Sequence, residues 1–412
     1  MKTVGIIAEY NPFHNGHQWQ INQARQLSGA EYVICVMSGN FVQRGELAIF
    51  DKWKRAEMAV LGGADLVIEL PVVFSVRSAQ YFAAGGVRLL NALGIVSYLC
   101  FGAEHPDLNI LKQIALAIHD KKTLDTLHRN LQLGQTYAAA LSNAIHTSHH
   151  IPSIILNEPN NILAVEYLRS INQYQATLIP VAVPRRESHY HDTMISGNFA
   201  SATAVRKSLL CQANTSVQKA IPPSSYDIIE QLITANRGPA NAAKLENIIL
   251  AKLRTATLMD LEQLPDVSEG LHYKLQKSAL NASSVQELLA MVKSKRYTNT
   301  RLQRILIHTL LGISQNILNE FDQTGPLYAR ILAFNDRGRK ILKEISKSSS
   351  LPVITKTTQF LNSVSRSTAS LNAMQQMLAY DTLATDIYSL SLPGAPWTRG
   401  GLDFRTSPFY KV

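Results

Sequence analysis

The sequence predicts an α/β protein, an open parallel sheet with helices on both faces, followed by a mainly helical C-terminal domain. Three observations lead there. Short strand-like runs recur at residues 4–8, 32–37, 66–70, 98–101 and 177–183, the first of them an apolar run of the kind covered on both sides. Helix-like segments lie between several of these runs, which is the crossover that parallel strands require. After residue 210 helical periodicity dominates, and Pro222-Pro223-Ser224-Ser225 reads as a linker, so the chain divides into residues 1–215 and 220–412.

The first run ends at the turn pair Asn11-Pro12, and a helix is expected from about Gln18. Residues 51–61 are the clearest intervening helix, closed by Gly62-Gly63, and the next begins near Ser78 and stops around Gly94. Open parallel sheets bind ligands beyond the carboxyl ends of their strands, so the loops after Ala8, Met37 and Phe101 should meet at one pocket. Past the linker, residues 228–233, 243–254, 285–292, 301–311 and 330–345 read as amphipathic helices. Residues 347–350 are a polar break, residues 389–412 are irregular, and no internal repeat stands out.

With 412 residues, 46% of them hydrophobic and 17% charged, the chain can bury a large core in two domains. No apolar stretch has the length of a membrane span and no basic leader precedes the first strand, so the expected compartment is the cytoplasm, with no membrane partner. Cys35, Cys100 and Cys211 are far apart and are expected to be plain buried residues; their spacing suggests no structural metal. The net charge of +10 suits a polyanionic partner, although it is also common in soluble proteins.

The chemistry concentrates in two runs. Tyr10-Asn11-Pro12-Phe13-His14-Asn15-Gly16-His17 follows the first strand and opens a helix, where unpaired backbone N–H groups and the helix dipole favour a phosphate. Gly16 allows close backbone approach, while His14 and His17 can donate to phosphoryl oxygens as negative charge develops. A turn with two surface histidines is the plainer alternative. Residues 195–209 read as a loop and a helix capped near Ser201, with hydroxyls on Ser201 and Thr203 and a charged fork on Arg206 one turn on. Alone, that run is an ordinary capped helix with a solvated arginine; paired with the first, it points to a triphosphate.

Other candidates are less specific. Ser38, Gly39 and Arg44 belong to a polar run, residues 38–46, that reads as a mobile active-site loop in which Arg44 neutralises pyrophosphate or contacts RNA; a surface loop is the alternative. Gly102 permits close approach or merely ends a strand, and Asn161, before a helix-like segment, reads as an N-cap. The Arg185-Arg186 pair could clamp phosphate. His191 beside Asp192 is a weak acid–base pair, and His146, His149 and His150 read as a polar loop without ligand spacing for a metal.

Taken together, Tyr10 to His17, Met37-Ser38-Gly39-Asn40-Phe41-Val42-Gln43-Arg44-Gly45-Glu46, Asp65-Leu66-Val67-Ile68-Glu69-Leu70-Pro71, Pro159-Asn160-Asn161-Ile162-Leu163-Ala164, Tyr190-His191-Asp192 and Ser201-Ala202-Thr203-Ala204-Val205-Arg206 occur in one order. This set resembles the bacterial tRNA(Met) cytidine acetate ligases, of the nucleotidyltransferase superfamily, and the similarity continues through residues 293–298 and 301–304. The resemblance implies a Rossmann-like sheet and an ATP-dependent acetylation of the wobble cytidine of elongator tRNA(Met). Acetate rather than acetyl-CoA is the implied acyl source, acetyl-adenylate the intermediate, and ATP with Mg²⁺ the co-substrate; no stable protein partner is implied. His14 and His17 would be catalytic. The ATP site would draw on Ile7, Ala8, Glu9, Tyr10, Asn11, Pro12, His14, Asn15, Gly16, His17, Gly102, Asn161, Arg186, Ser201, Thr203 and Arg206.

Lys293, Lys295, Arg296, Arg301 and Arg304 fall close together, with no acidic residue between Lys293 and Glu320. Tyr297 within the cluster could stack on an unpaired base, which suggests tRNA binding. A solvated helix face is the alternative, since Leu302, Ile305, Leu306, Thr309 and Leu310 give the same segment an apolar stripe. Two rival functions remain at this point. A small-molecule adenylyltransferase would need only the first half of this length, and a non-catalytic nucleotide- and tRNA-binding protein would not need both histidines.

Overall fold

Strands β1 (Thr3–Ala8), β2 (Tyr32–Ser38), β3 (Leu66–Leu70), β4 (Tyr98–Ala103), β5 (Ile179–Pro184), β6 (Ala329–Asn335), β7 (Val353–Ile354) and β8 (Phe409–Lys411) share one sheet in a computed structural model describing residues 1–135, 137–185, 198–211, 214–367 and 370–412. The order is β5-β4-β1-β2-β3-β6-β7, with β8 also on β6. The first five strands are mutually parallel, as the apolar runs predicted, and β6 adds to β3 in the antiparallel sense. Chain order runs outward from β1 to β3 and then restarts on the other side at β4. A crevice therefore opens between the carboxyl ends of β1 and β4.

Alternation along the strands fills two cores. Ile7, Ile34, Val36, Leu66 and Ile68 enter one apolar cluster, while Val4, Ile6, Val33, Cys35, Met37 and Val67 enter the other, because successive side chains leave opposite faces of a strand. Helices Asn15–Ser28 and Lys52–Leu61 pack on one face and Ala79–Ala92 on the other. Among the described residues, no helix is long and apolar enough to cross a membrane.

Several expectations need correction. The span 330–345 is not one helix: β6 occupies its first part and helix Asp336–Ser348 the rest, with Asn335 capping the helix by accepting from Gly338 N at 2.8 Å. Its strand half, buried from Ala329 to Ala333, sends Ile331 to one core and Leu332 to the other, so it lacks the alternation of a half-buried strand. Pro222-Pro223 is no linker, because Pro223 is the first residue of helix Pro223–Thr234, where its missing N–H costs nothing. His146 and His149 lie in helix Tyr137–His149 rather than a loop. Cys211 is exposed, unlike Cys35 and Cys100. The irregular end, residues 389–412, contributes β8.

Beneath the carboxyl end of β3 lies a cluster of buried charges. Lys52 Nζ contacts both Glu69 oxygens at 2.8 and 3.0 Å and Asp403 at 2.8 Å; Arg330 contacts Glu69 at 3.2 Å and Asp403. This cluster joins a helix and strand from the first half of the chain to a strand and turn from the last.

Candidate active site

A cavity of about 360 Å³ opens at the crevice. Ile7, Ala8, Glu9, Tyr10 and Asn11 line it from the end of β1, Phe101 and Gly102 from β4, and Val183, Pro184 and Arg185 from β5. His14, Gly16 and His17 enter from the first helix, Ser201, Thr203 and Arg206 from helix Ala202–Leu210, and Gln43, Arg44 and Glu46 from the polar loop. The runs around His14 and Arg206 thus line one cavity. Asn15 ties them directly, its Nδ2 donating to the carbonyls of Asn198 and Lys219 at 2.8 Å each.

The first helix begins at Asn15, three residues before the expected start, because His14 serves as its cap in extended conformation. His14 Nδ1 accepts from Gly16 N at 3.1 Å, and His17 Nδ1 accepts from His14 N at 3.2 Å. With both Nδ1 atoms accepting, each neutral ring carries its proton on Nε2. The rings stack at 3.6 Å between centroids. Burial and the neighbouring Arg185 and Arg206 push the His14 imidazolium pKa down to about 3; burial, then His14, lowers that of His17. Both are therefore neutral N–H donors at physiological pH. A side chain on Gly16 would fall 2.9 Å from the His14 ring, so this cap geometry requires glycine.

Ser201 caps its helix by accepting from Ala204 N at 3.1 Å. Arg206 donates to the Asn11 carbonyl at 3.0 Å and to Thr203 Oγ1 at 3.3 Å, and lies 3.7 Å from Glu46. Asn11 accepts from Ile49 N at 2.7 Å through Oδ1, yet its buried Nδ2 finds no acceptor among the described residues. A buried amide donor left unpaired costs about 1–3 kcal/mol, so an anionic ligand oxygen suits this position.

The polar loop is anchored rather than free. Glu9 Oε1 accepts from Gln43 N at 2.8 Å, Gln43 Nε2 donates to the Arg77 carbonyl at 2.8 Å, and Phe41 pairs with Leu47. Its base is fixed by Arg55, a fully buried residue of helix Lys52–Leu61 that donates to the carbonyls of Glu9, Ser38, Gly39 and Phe50. Gly45, at φ +77°, brings the tip against the backbone of Gln303 and Arg304. Ser38 and Gly39 consequently sit below the cavity, with Gly39 against Glu69, while Arg44 lines it. Sequence reasoning missed Arg55; its only signal was a cation on the apolar face of a helix.

Other candidates fall differently. Pro12 and Asn15 support the turn outside the cavity lining. Asn161, also absent from the lining, is fully buried at the third position of helix Pro159–Gln173, accepting from His105 N at 3.0 Å and donating to the Ile155 carbonyl at 3.0 Å. Its neighbours Pro159, Asn160, Ile162 and Leu163 line the cavity instead. Arg186, His191 and Asp192 lie outside the described residues. No group of three His, Cys, Asp or Glu side chains suited to a metal occurs among the described residues.

The basic cluster divides. Lys293, Lys295 and Arg296 are exposed, with Arg296 3.2 Å from Glu269. Tyr297 is buried beneath the Arg301 guanidinium, 5.1 Å from its ring centre, so it presents no face to a base. Arg301 donates to the Asp266 carbonyl at 2.7 Å, and buried Arg304 pairs with the Asp266 carboxylate at 3.1 Å. Asp266 is distant in sequence, which is why residues 293–320 looked free of acidic partners.

The HIGH Nucleotidyl Transferase family profile matches residues 1–399. The chain is 39% identical over 416 residues to a tRNA(Met) cytidine acetate ligase of Halothermothrix orenii and 41% identical over 408 residues to one of Thermoanaerobacter sp., in each case covering 98% of both chains. A crystal structure of Thermotoga maritima TmcAL bound with alpha-thio ATP superimposes with a TM-score of 0.90 at 32% identity, covering 100% of this chain and 99% of that one.

Proposed function

The chain belongs to the tRNA(Met) cytidine acetate ligase family of HIGH nucleotidyltransferases, and from that premise we propose that it activates acetate as acetyl-adenylate and transfers the acetyl group to the wobble cytidine of elongator tRNA(Met). N4-acetylcytidine, AMP and pyrophosphate are the products. One observation carries the reading: two phosphate-handling runs nearly two hundred residues apart line one cavity, with two neutral imidazole donors at a helix N-terminus. The T. maritima relative's alpha-thio ATP supports the nucleotide half.

In the first step an acetate oxygen attacks the α-phosphorus and pyrophosphate leaves with the electrons of the α–β bond. The protein's work is positioning and charge stabilisation. The Nε2–H groups of His14 and His17 meet the charge developing on phosphoryl oxygens, Arg206, Ser201 and Thr203 hold the departing phosphates, and Arg44 closes the cavity from the loop. Arg186 would join them from outside the described residues. Because the described side chains offer no metal cage, Mg²⁺ would enter on the ATP phosphates. Residues 1–215 would perform this chemistry, with tRNA held by helices within 220–412, although β6 joins the latter region to the same sheet. The expected compartment is the cytoplasm, where its tRNA substrate resides. Acetate-dependent exchange of labelled pyrophosphate into ATP, without tRNA, tests the first step; no exchange would refute it.

The tRNA surface would include Lys293, Lys295 and Arg296, the exposed members of the basic cluster. Reversing their charge together should weaken tRNA binding and flatten the dependence of log Kd on log salt by roughly 1 for each phosphate no longer neutralised. Filter binding across a salt series measures this. An unchanged slope would remove these cations from the RNA surface.

A further inference from the structure

Resting on the acetyl-transfer reading above, we propose that Glu9 is the base that receives the proton released when the cytidine N4 amine is acetylated. In that step the N4 lone pair attacks the acetyl carbonyl carbon, the C–N bond forms, and the bond from acyl carbon to phosphate oxygen breaks. AMP leaves with that electron pair, and the N4 proton passes to Glu9 Oε2. An amine that has attacked a carbonyl is cationic until it loses a proton, so the step requires an acceptor beside the reacting carbon.

Elimination among the titratable groups lining the cavity leads to Glu9. His14 and His17 use Nδ1 as acceptors of backbone N–H groups and carry protons on Nε2, so neither ring has a free lone pair. The guanidinium groups of Arg44, Arg185 and Arg206 have no lone pair with which to take a proton. Burial raises the phenols of Tyr10 and Tyr167 above their ordinary range, which keeps them protonated. Glu46 lies 3.7 Å from the Arg206 guanidinium and is about a third exposed, at 35%. Among the described lining residues, Glu9 combines a carboxylate with a fixed position, its hydrogen bond being made through Oε1.

The geometry fixes that position from three sides. Oε1 is held by Gln43 N at 2.8 Å, the Glu9 carbonyl accepts from Arg55, and the next residue, Tyr10, is in the left-handed region at φ +46°. A bulky side chain there is strained, and such strain persists only where surrounding contacts impose it. Tyr10 is fully packed and in contact with Cys35, 3.2 Å from its Sγ. The charged and titratable groups around Glu9 are Arg44 and Glu46 from the loop, Arg206 from its helix, Arg55 beneath and Tyr167 opposite. Burial raises its carboxyl pKa, opposed by the Gln43 N–H and by Arg206, which moves it towards working pH.

Glu9→Gln separates the base from the anchor, since a glutamine oxygen still accepts from Gln43 N. Enzyme-bound acetyl-adenylate, formed from ATP and acetate, is mixed with unmodified tRNA(Met), and single-turnover transfer is followed across pH 5 to 8. For the wild-type chain, transfer should rise with pH through the Glu9 pKa and then level. In the variant the limb should vanish, with transfer slowed roughly 10²–10⁴-fold and at least tenfold more than adenylate formation. Transfer at the wild-type rate, or equal slowing of both half-reactions, would overturn the assignment and leave Glu9 as a loop anchor or nucleotide contact. A wild-type chain that forms no adenylate or acetylates no tRNA would instead refute the underlying reading.

Discussion

Alanine at His14 or His17 is expected to slow acetate-dependent pyrophosphate exchange by roughly 10²–10³-fold, the usual cost of losing one donor to a charge that grows in the transition state. The two rings do not act as acids in the ordinary imidazole range. Each has Nδ1 committed to a backbone N–H, and burial holds both pKa values far below 6.5. The exchange rate should therefore show no inflection near pH 6.5 that disappears in either alanine variant. Because both rings also cap the helix, some stability loss accompanies the substitution, about 1 kcal/mol for an N-cap. Thermal unfolding measured alongside separates the effects. Exchange at a wild-type rate in a folded variant would remove the histidines from the chemistry.

The largest expected stability effect lies under the site. Arg330→Met leaves Glu69 and Asp403 sharing Lys52 in a region where all four side chains are at most 4% exposed. Removing one partner from a buried ion cluster typically costs about 3–5 kcal/mol, because the remaining charge is neither solvated nor paired. A fall in the denaturation midpoint of that order is expected. Adding Glu69→Gln to Arg330→Met should recover part of it, since one uncompensated carboxylate disappears while Lys52 stays paired with Asp403. If the double variant were less stable than the single, the cluster would not be governed by charge balance.

Much of this could be read from the chain, and what could not has a common cause. The parallel strands were legible because β1 to β4 are largely buried and so appear as short, mostly apolar runs; β5, more exposed, showed as a β-branched run after a helix. That the runs around His14 and Arg206 line one cavity was legible because each carries local features, a helix start with hydroxyl or cationic neighbours. What escaped notice depends on distant residues. Tyr297 and Arg304 looked available to RNA because Asp266, which holds Arg301 and Arg304, precedes them by more than thirty residues. Lys52 and Arg55 looked like ordinary helix charges, since their acceptors are β3, the last turns of the chain and loop carbonyls. Asn161 matched a nucleotide-contact motif, but its side chain is spent on His105 and Ile155, and the neighbours on either side face the cavity. Strand β6 was read as part of a helix because a segment buried on both faces shows no strict alternation.

Cleavage of ATP between the α and β phosphates, to activate free acetate for an RNA amine, is the chemistry proposed for the cavity. The direct measurement uses isotope-labelled acetate and unlabelled acetyl-CoA together, with ATP and unmodified tRNA(Met), followed by mass spectrometry of the wobble nucleoside and quantification of pyrophosphate. Labelled N4-acetylcytidine is expected, with one pyrophosphate released for each acetyl group transferred and no gain from acetyl-CoA. Unlabelled acetylcytidine formed without ATP consumption would contradict it.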